Sequence, residues 1–148
     1  MTETEQPASA HVRPGGVGDA TVGAVGRLTE ALETVERARG LLYGFHQLTG
    51  EADLKLGDAA DQLRAAGHDR LAERVETELV GRNVIPGRWT FQIVEDYDDG
   101  YWSALRELEH TVRAELVGGR RHVFEAEMKE GRRSHGRPGH EARPAPGA

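Results

Sequence analysis

The stretch Ala31-Leu-Glu-Thr-Val35-Glu-Arg-Ala38-Arg-Gly40-Leu-Leu42-Tyr-Gly44-Phe45-His-Gln-Leu-Thr49-Gly50 decides the fold. Ala31, Val35, Ala38, Leu42 and Phe45 recur at spacings of three and four, the period at which side chains share one face of an α-helix. The same phase runs on through Thr49, Ala52, Leu56, Ala59, Leu63 and Ala66. A 3/4 alternation held for about five heptads is the seam formed when one helix lies along another. Gly40, Gly44, Gly50 and Gly57 each cost ~1 kcal/mol relative to alanine in a helix interior. A phase that survives all four predicts one long element over residues 28–66, bent near Gly50 or Gly57; two shorter helices are the alternative. Thr29 is the expected N-cap, with Glu30 and Glu33 in the first turn where the helix dipole favours anions. Gly67 is the expected closing residue.

Towards the C-terminus the pattern stays helical. Asp69 reads as an N-cap, and Leu71, Ala72, Val75 and Leu79 form an apolar stripe. Residues 82–89 contain Pro86-Gly87, the chemistry of a turn. Thr90 is the expected cap of a third element, whose stripe is Val94, Tyr97, Tyr101, Leu105, Leu108, Val112 and Leu116. Asp99-Gly100 is a weak spot inside it, and Gly118-Gly119 stop it. Residues 120–130 suit a short final helix.

The predicted fold class is therefore all-α: a small antiparallel helical bundle built on one long N-terminal helix. A helix hairpin alone has little interior, so a homodimer is expected to cover the remaining faces. Gly40 and Gly44, flanked by Leu41 and Leu48, offer that second contact. Residues 1–27 contain Arg13-Pro14-Gly15-Gly16 and lack apolar periodicity, and residues 131–148 are rich in Gly, Pro, Arg and His. Both are expected to be disordered, because neither buries enough apolar surface to offset ordering entropy. Residues 28–130 are then the helical domain.

Charge and composition narrow the function classes. Residues 28–117 carry ten basic and eighteen acidic side chains, a net of −8, whereas residues 118–148 are net +3. An acidic body repels phosphate backbones, which argues against nucleic acid as a partner. No run approaches the ~20 apolar residues of a membrane span. Residues 1–10 lack the basic and apolar regions of a secretory leader. There is no cysteine, so disulfides, thiolate nucleophiles and Cys-based metal sites are excluded. A cytoplasmic location is the expectation.

Catalytic templates are absent. Ser9, Ser103 and Ser134 are the only serines and none lies in Gly-x-Ser-x-Gly. No phosphate-binding glycine loop is present, and no cofactor is expected. The leading reading is a non-enzymatic protein that binds itself and a protein or small ligand. Its binding residues are expected to be Arg82, Asn83, Arg88, Trp89, Tyr97, Tyr101 and Trp102, because loops carry function and Trp, Tyr and Arg dominate binding hot spots. Glu95, Asp96, Asp98 and Asp99 lie in the same region, where like charges on one helical face repel; either a cation or cationic partner neutralises them, or they form a solvated face or pair with Arg82 and Arg88. His46, beside the main stripe, reads as a packed structural histidine.

Glu107-Leu-Glu-His110 resembles the Glu-x-x-His pair of ferritin-like di-iron proteins over those four residues. The resemblance implies a metal-binding oxidoreductase as an alternative function, with Glu36 and Glu95 completing a site with Glu107 and His110. The second Glu-x-x-His pair of that family is absent. A further alternative is a small regulator acting through the basic tail.

Overall fold

The computed structural model describes residues 3–143. Five α-helices follow two short 3-10 turns, Glu3–Glu5 and Ser9–His11: α1 (Asp19–Ala65), α2 (Asp69–Glu78), α3 (Thr90–Tyr97), α4 (Ser103–Val117) and α5 (Val123–Arg132). A π-helical turn, Asp98–Trp102, joins α3 to α4. Among the described residues there is no strand, only one isolated bridge between Ile85 and Arg88 in the connector. The fold is all-α with one long N-terminal helix. Among the described residues no helix is long and apolar enough to cross a membrane. The chain divides into two compact units, residues 3–34 with 104–143, and Val35–Ser103. Residues 1–2 and 144–148, the outer ends of the segments expected to be disordered, lie outside the described residues.

Residues 28–65 form one helix, not two, and α1 passes through Gly40, Gly44, Gly50 and Gly57. It closes as expected. Gly67 adopts φ +87°, its N–H donates to the Arg64 carbonyl, and the His68 N–H reaches back to the Leu63 carbonyl at 2.8 Å. This six-to-one and five-to-two pairing satisfies the Leu63 and Arg64 carbonyls, two of the last four of the helix.

The start of α1 differs from the sequence expectation. The helix begins at Asp19, and Thr29 is interior, its hydroxyl donating to the Val25 carbonyl at 3.1 Å. Val22 and Val25 are buried, as are Val117 of α4 and Val123 of α5, and these valines form the core of the first unit. Each contributes roughly 1.5–3 kcal/mol by burial, so the extra turns of helix are stabilised by packing and not by a cap. Two other caps also move by one residue. His68 and Trp89 stand at the N-caps of α2 and α3, so Asp69 and Thr90 are the first helical residues. The Trp89 N–H is met by Gln92 Oε1 at 3.0 Å, which frees the Thr90 hydroxyl for His46.

The inward stripe of α1 corrects the sequence reading in half its positions. Val35, Leu42, Thr49, Leu56 and Leu63 are half-buried as expected. Between them, however, Arg39, His46, Asp53 and Ala60 face inward, while Ala38, Phe45, Ala52 and Ala59 are exposed. The period is right and the phase of alternate rungs is off by one. The polar rungs face inward because each finds a partner there, which removes the penalty of burying it.

The first unit also contains a buried ion pair. Arg113 Nε donates to Glu109 Oε1 at 3.0 Å and Arg113 Nη1 to the Gly119 carbonyl at 2.7 Å, with the Thr29 hydroxyl on the same carboxylate at 3.2 Å. Removing one member of a buried pair of this kind costs ~3–5 kcal/mol. The two ends of the chain are held by arginines. Arg133, with a side chain only 1% exposed, donates to Glu130 and to the side chain and carbonyl of Glu5. Arg13 grips Glu127 with two 2.7 Å bonds and Asp19 at 2.8 Å.

Candidate functional site

The second unit carries the site that the sequence points to, built on α1. Arg39, His46 and Asp53 recur every seven residues and so lie along one line of the helix. Arg39 holds Asp98 through two bonds of 2.9 and 3.0 Å. His46 Nδ1 meets the Thr90 hydroxyl at 2.7 Å. Asp53 Oδ1 accepts the Gly81 N–H at 2.7 Å. The three rungs thus fasten the π turn, the start of α3 and the end of the α2 segment to α1.

Between the second and third rungs lies an open cleft of about 580 Å³. Thr49, Asp53 and Leu56 form its α1 wall. Leu79, Arg82, Asn83, Val84, Trp89 and Phe91 line the opposite side. Trp89 is 55% exposed yet fixed: its Nε1 donates to Asn83 Oδ1 at 2.9 Å, and its ring lies 5.2 Å from that of Phe91. An indole held at both its polar edge and its face needs little further ordering to receive a ligand.

The seven expected binding residues separate into three groups. Arg82, Asn83 and Trp89 come together in the cleft. Arg88 pairs with Asp96 on an exposed surface. Tyr101 and Trp102 belong to the π turn, and Tyr97 is the last residue of α3 just before it. There the Arg39 guanidinium lies 4.9 Å from the Trp102 ring centre and 5.5 Å from that of Tyr43, and Tyr97 packs on Tyr101 at 5.9 Å. The Arg39 hydrogen bonds and charge hold the Asp98 carboxyl below its usual range. Asp98 therefore carries its charge into a paired site and is not a free acid for chemistry. The Asp99-Gly100 weak spot becomes this π turn, the form in which helices absorb one extra residue and one often found at functional sites.

Of the metal candidates, Glu36 and Glu95 lie in the second unit, and Glu107 and His110 in the first. His110 Nδ1 faces Arg113 Nη2 at 3.4 Å. Among the described residues, one group of three potential ligands does converge, Glu33, His122 and Glu125. Sequence reasoning did not bring these three together, and it missed Asp53, Phe91 and Arg39. For Asp53 and Arg39 the seven-residue recurrence with His46 is the signal that would have found them; Glu33 and His122 meet only through the fold.

No protein family matches the sequence, and neither a curated protein nor a solved structure matches it.

Proposed function

We propose that the protein is a non-enzymatic helical binding protein whose second unit takes an apolar side chain of a partner segment between α1 and the connector. The observation that carries this reading is the cleft, in which Leu79, Val84, Trp89 and Phe91 remain exposed side by side among hydrogen-bonding groups. Contiguous exposed apolar surface rimmed by polar residues marks interaction sites. Val35–Ser103 carries eight basic and thirteen acidic side chains, a net of −5. The complementary partner therefore presents basic residues beside its apolar one.

The same unit supports self-association. Leu41 and Leu48, seven residues apart on α1, are 77% and 65% exposed. Gly40 and Gly44 have open space around them, which leaves room for a close approach. A second copy of the chain on this face gives the homodimer. The falling order of the α1 partners, Asp98 for Arg39, Thr90 for His46 and Gly81 for Asp53, favours antiparallel packing within the unit.

The test uses peptides with one leucine or aromatic residue flanked by lysines, and matched peptides flanked by glutamates. The lysine series should bind saturably and change tryptophan fluorescence. Trp89→Ala with Phe91→Ala should weaken that binding by roughly tenfold or more, a loss of at least ~1.4 kcal/mol, with helicity unchanged. Equal binding of the acidic series, or affinity indifferent to the double substitution, refutes the reading.

A further inference from the structure

The geometry points to a divalent-cation site in the first unit, formed by Glu33, His122 and Glu125; it goes beyond the binding role of the second unit and does not depend on it. The ligand atoms of these three residues lie within 4.8 Å of one another. Glu33 comes from α1, His122 from the residue just before α5, and Glu125 from the first turn of α5. Two distant parts of the chain thus bring one imidazole and two carboxylates to a single point.

The backbone at His122 is unusual. It adopts φ +57°, the only non-glycine residue with a positive φ among those described. That conformation is costly for a residue with a Cβ. Capping does not account for it, because the imidazole makes no capping bond to the α5 backbone. Its Nδ1 instead lies 2.5 Å from Glu125 Oε2. His11 stands beside it, with ring centres 6.4 Å apart, and its Nδ1 meets the carbonyl of Arg121, so it braces the loop that carries His122.

The donor set selects the ion. One histidine and two carboxylates with a fourth position left for water form a three-ligand zinc site. Zinc–ligand bonds of about 2.0–2.2 Å place the ligand atoms about 3.4 Å apart in a tetrahedron. Both glutamates are exposed, so rotamer changes bring them that much closer. The ion takes the place of the His122–Glu125 contact and neutralises two carboxylates. Calcium and magnesium prefer an all-oxygen shell, and an imidazole disfavours them.

The experiment is calorimetric titration of the chelator-stripped full chain with Zn²⁺ and with Ca²⁺, alongside thermal unfolding in each ion. Expected are one equivalent of Zn²⁺, much weaker Ca²⁺ binding, and a higher midpoint in Zn²⁺. Glu33→Gln and His122→Asn should each weaken Zn²⁺ binding roughly tenfold or more, as losing one of three ligands demands. Asparagine tolerates the left-handed backbone, so His122→Asn removes the ligand without forcing the loop to move. Glu107→Gln with His110→Asn should leave the affinity unchanged. No saturable Zn²⁺ binding, equal affinity for Ca²⁺, or binding that survives Glu33→Gln and His122→Asn overturns the site.

Discussion

Replacing Gly26 by alanine tests the packing that brings α1 to α5. A Cβ built on Gly26 stands 2.9 Å from both Cβ and Cγ of Phe124 and 3.3 Å from Cδ1. Carbon atoms rest comfortably at about 3.5–4.0 Å, so the new methyl overlaps two atoms by roughly 0.6 Å or more. Those atoms are the root of the Phe124 side chain and cannot swing away as a flexible tip could. Overpacking of this kind costs about 1–3 kcal/mol. Alanine returns about 1 kcal/mol through helix propensity, so the net effect is a loss of about 0–2 kcal/mol. Gly57 sets the scale: nothing lies within 4 Å of its Cβ position, so Gly57→Ala should stabilise by up to about 1 kcal/mol. Urea denaturation followed by circular dichroism should therefore separate the two variants by about 1–3 kcal/mol, or roughly 2–4 °C in Tm per kcal/mol. In a Phe124→Ala background the clash is gone, and Gly26→Ala should become stabilising, a coupling that a double-mutant cycle reads directly. If Gly26→Ala stabilises the unaltered protein as much as Gly57→Ala does, α1 and α5 do not approach each other as described.

Acid should release the chain ends before it melts the helices. The hydrogen bonds from Arg133 and then His135 hold the Glu130 carboxyl down to about 2, against an ordinary 4.5, and Arg133 and the Gly136 N–H lower Glu5 in the same direction. A carboxyl lowered in the folded state contributes stability that is complete above its unfolded value and disappears as pH falls through its folded value. Protection factors of residues 3–13 and 133–143, taken against the intrinsic exchange rate at each pH, should accordingly fall between about pH 4.5 and about 2, and Arg133→Gln should abolish that fall. Protection lost first in α1, or terminal protection indifferent to pH, contradicts the clamp. For self-association, Leu41→Gln with Leu48→Gln should convert a sedimenting dimer to monomer at micromolar concentration, and a wild-type monomer removes the dimer altogether.

Much of the helical outline is legible in local sequence. The glycine closure after α1, the stop after α4 and the weak spot at Asp99-Gly100 all depend on neighbouring residues, and all appear in the structure. The cleft was legible in part: Arg82, Asn83 and Trp89 stand out on a loop, and Phe91 lies two residues from Trp89, whereas Asp53 joins them only through contacts distant in sequence.

Apolar spacing alone determined that this chain is helical and that its longest helix repeats every three or four residues, because that spacing is a property of one segment. Which side of alternate rungs turns inward was decided by tertiary partners. Arg39 and His46 can be covered only because Asp98 and Thr90, far along the chain, supply their hydrogen bonds. The contact of Glu5 with residues 130–133 was decided the same way, by Arg133 meeting Glu5 and Glu130, a charge-assisted network that no count of apolar residues registers.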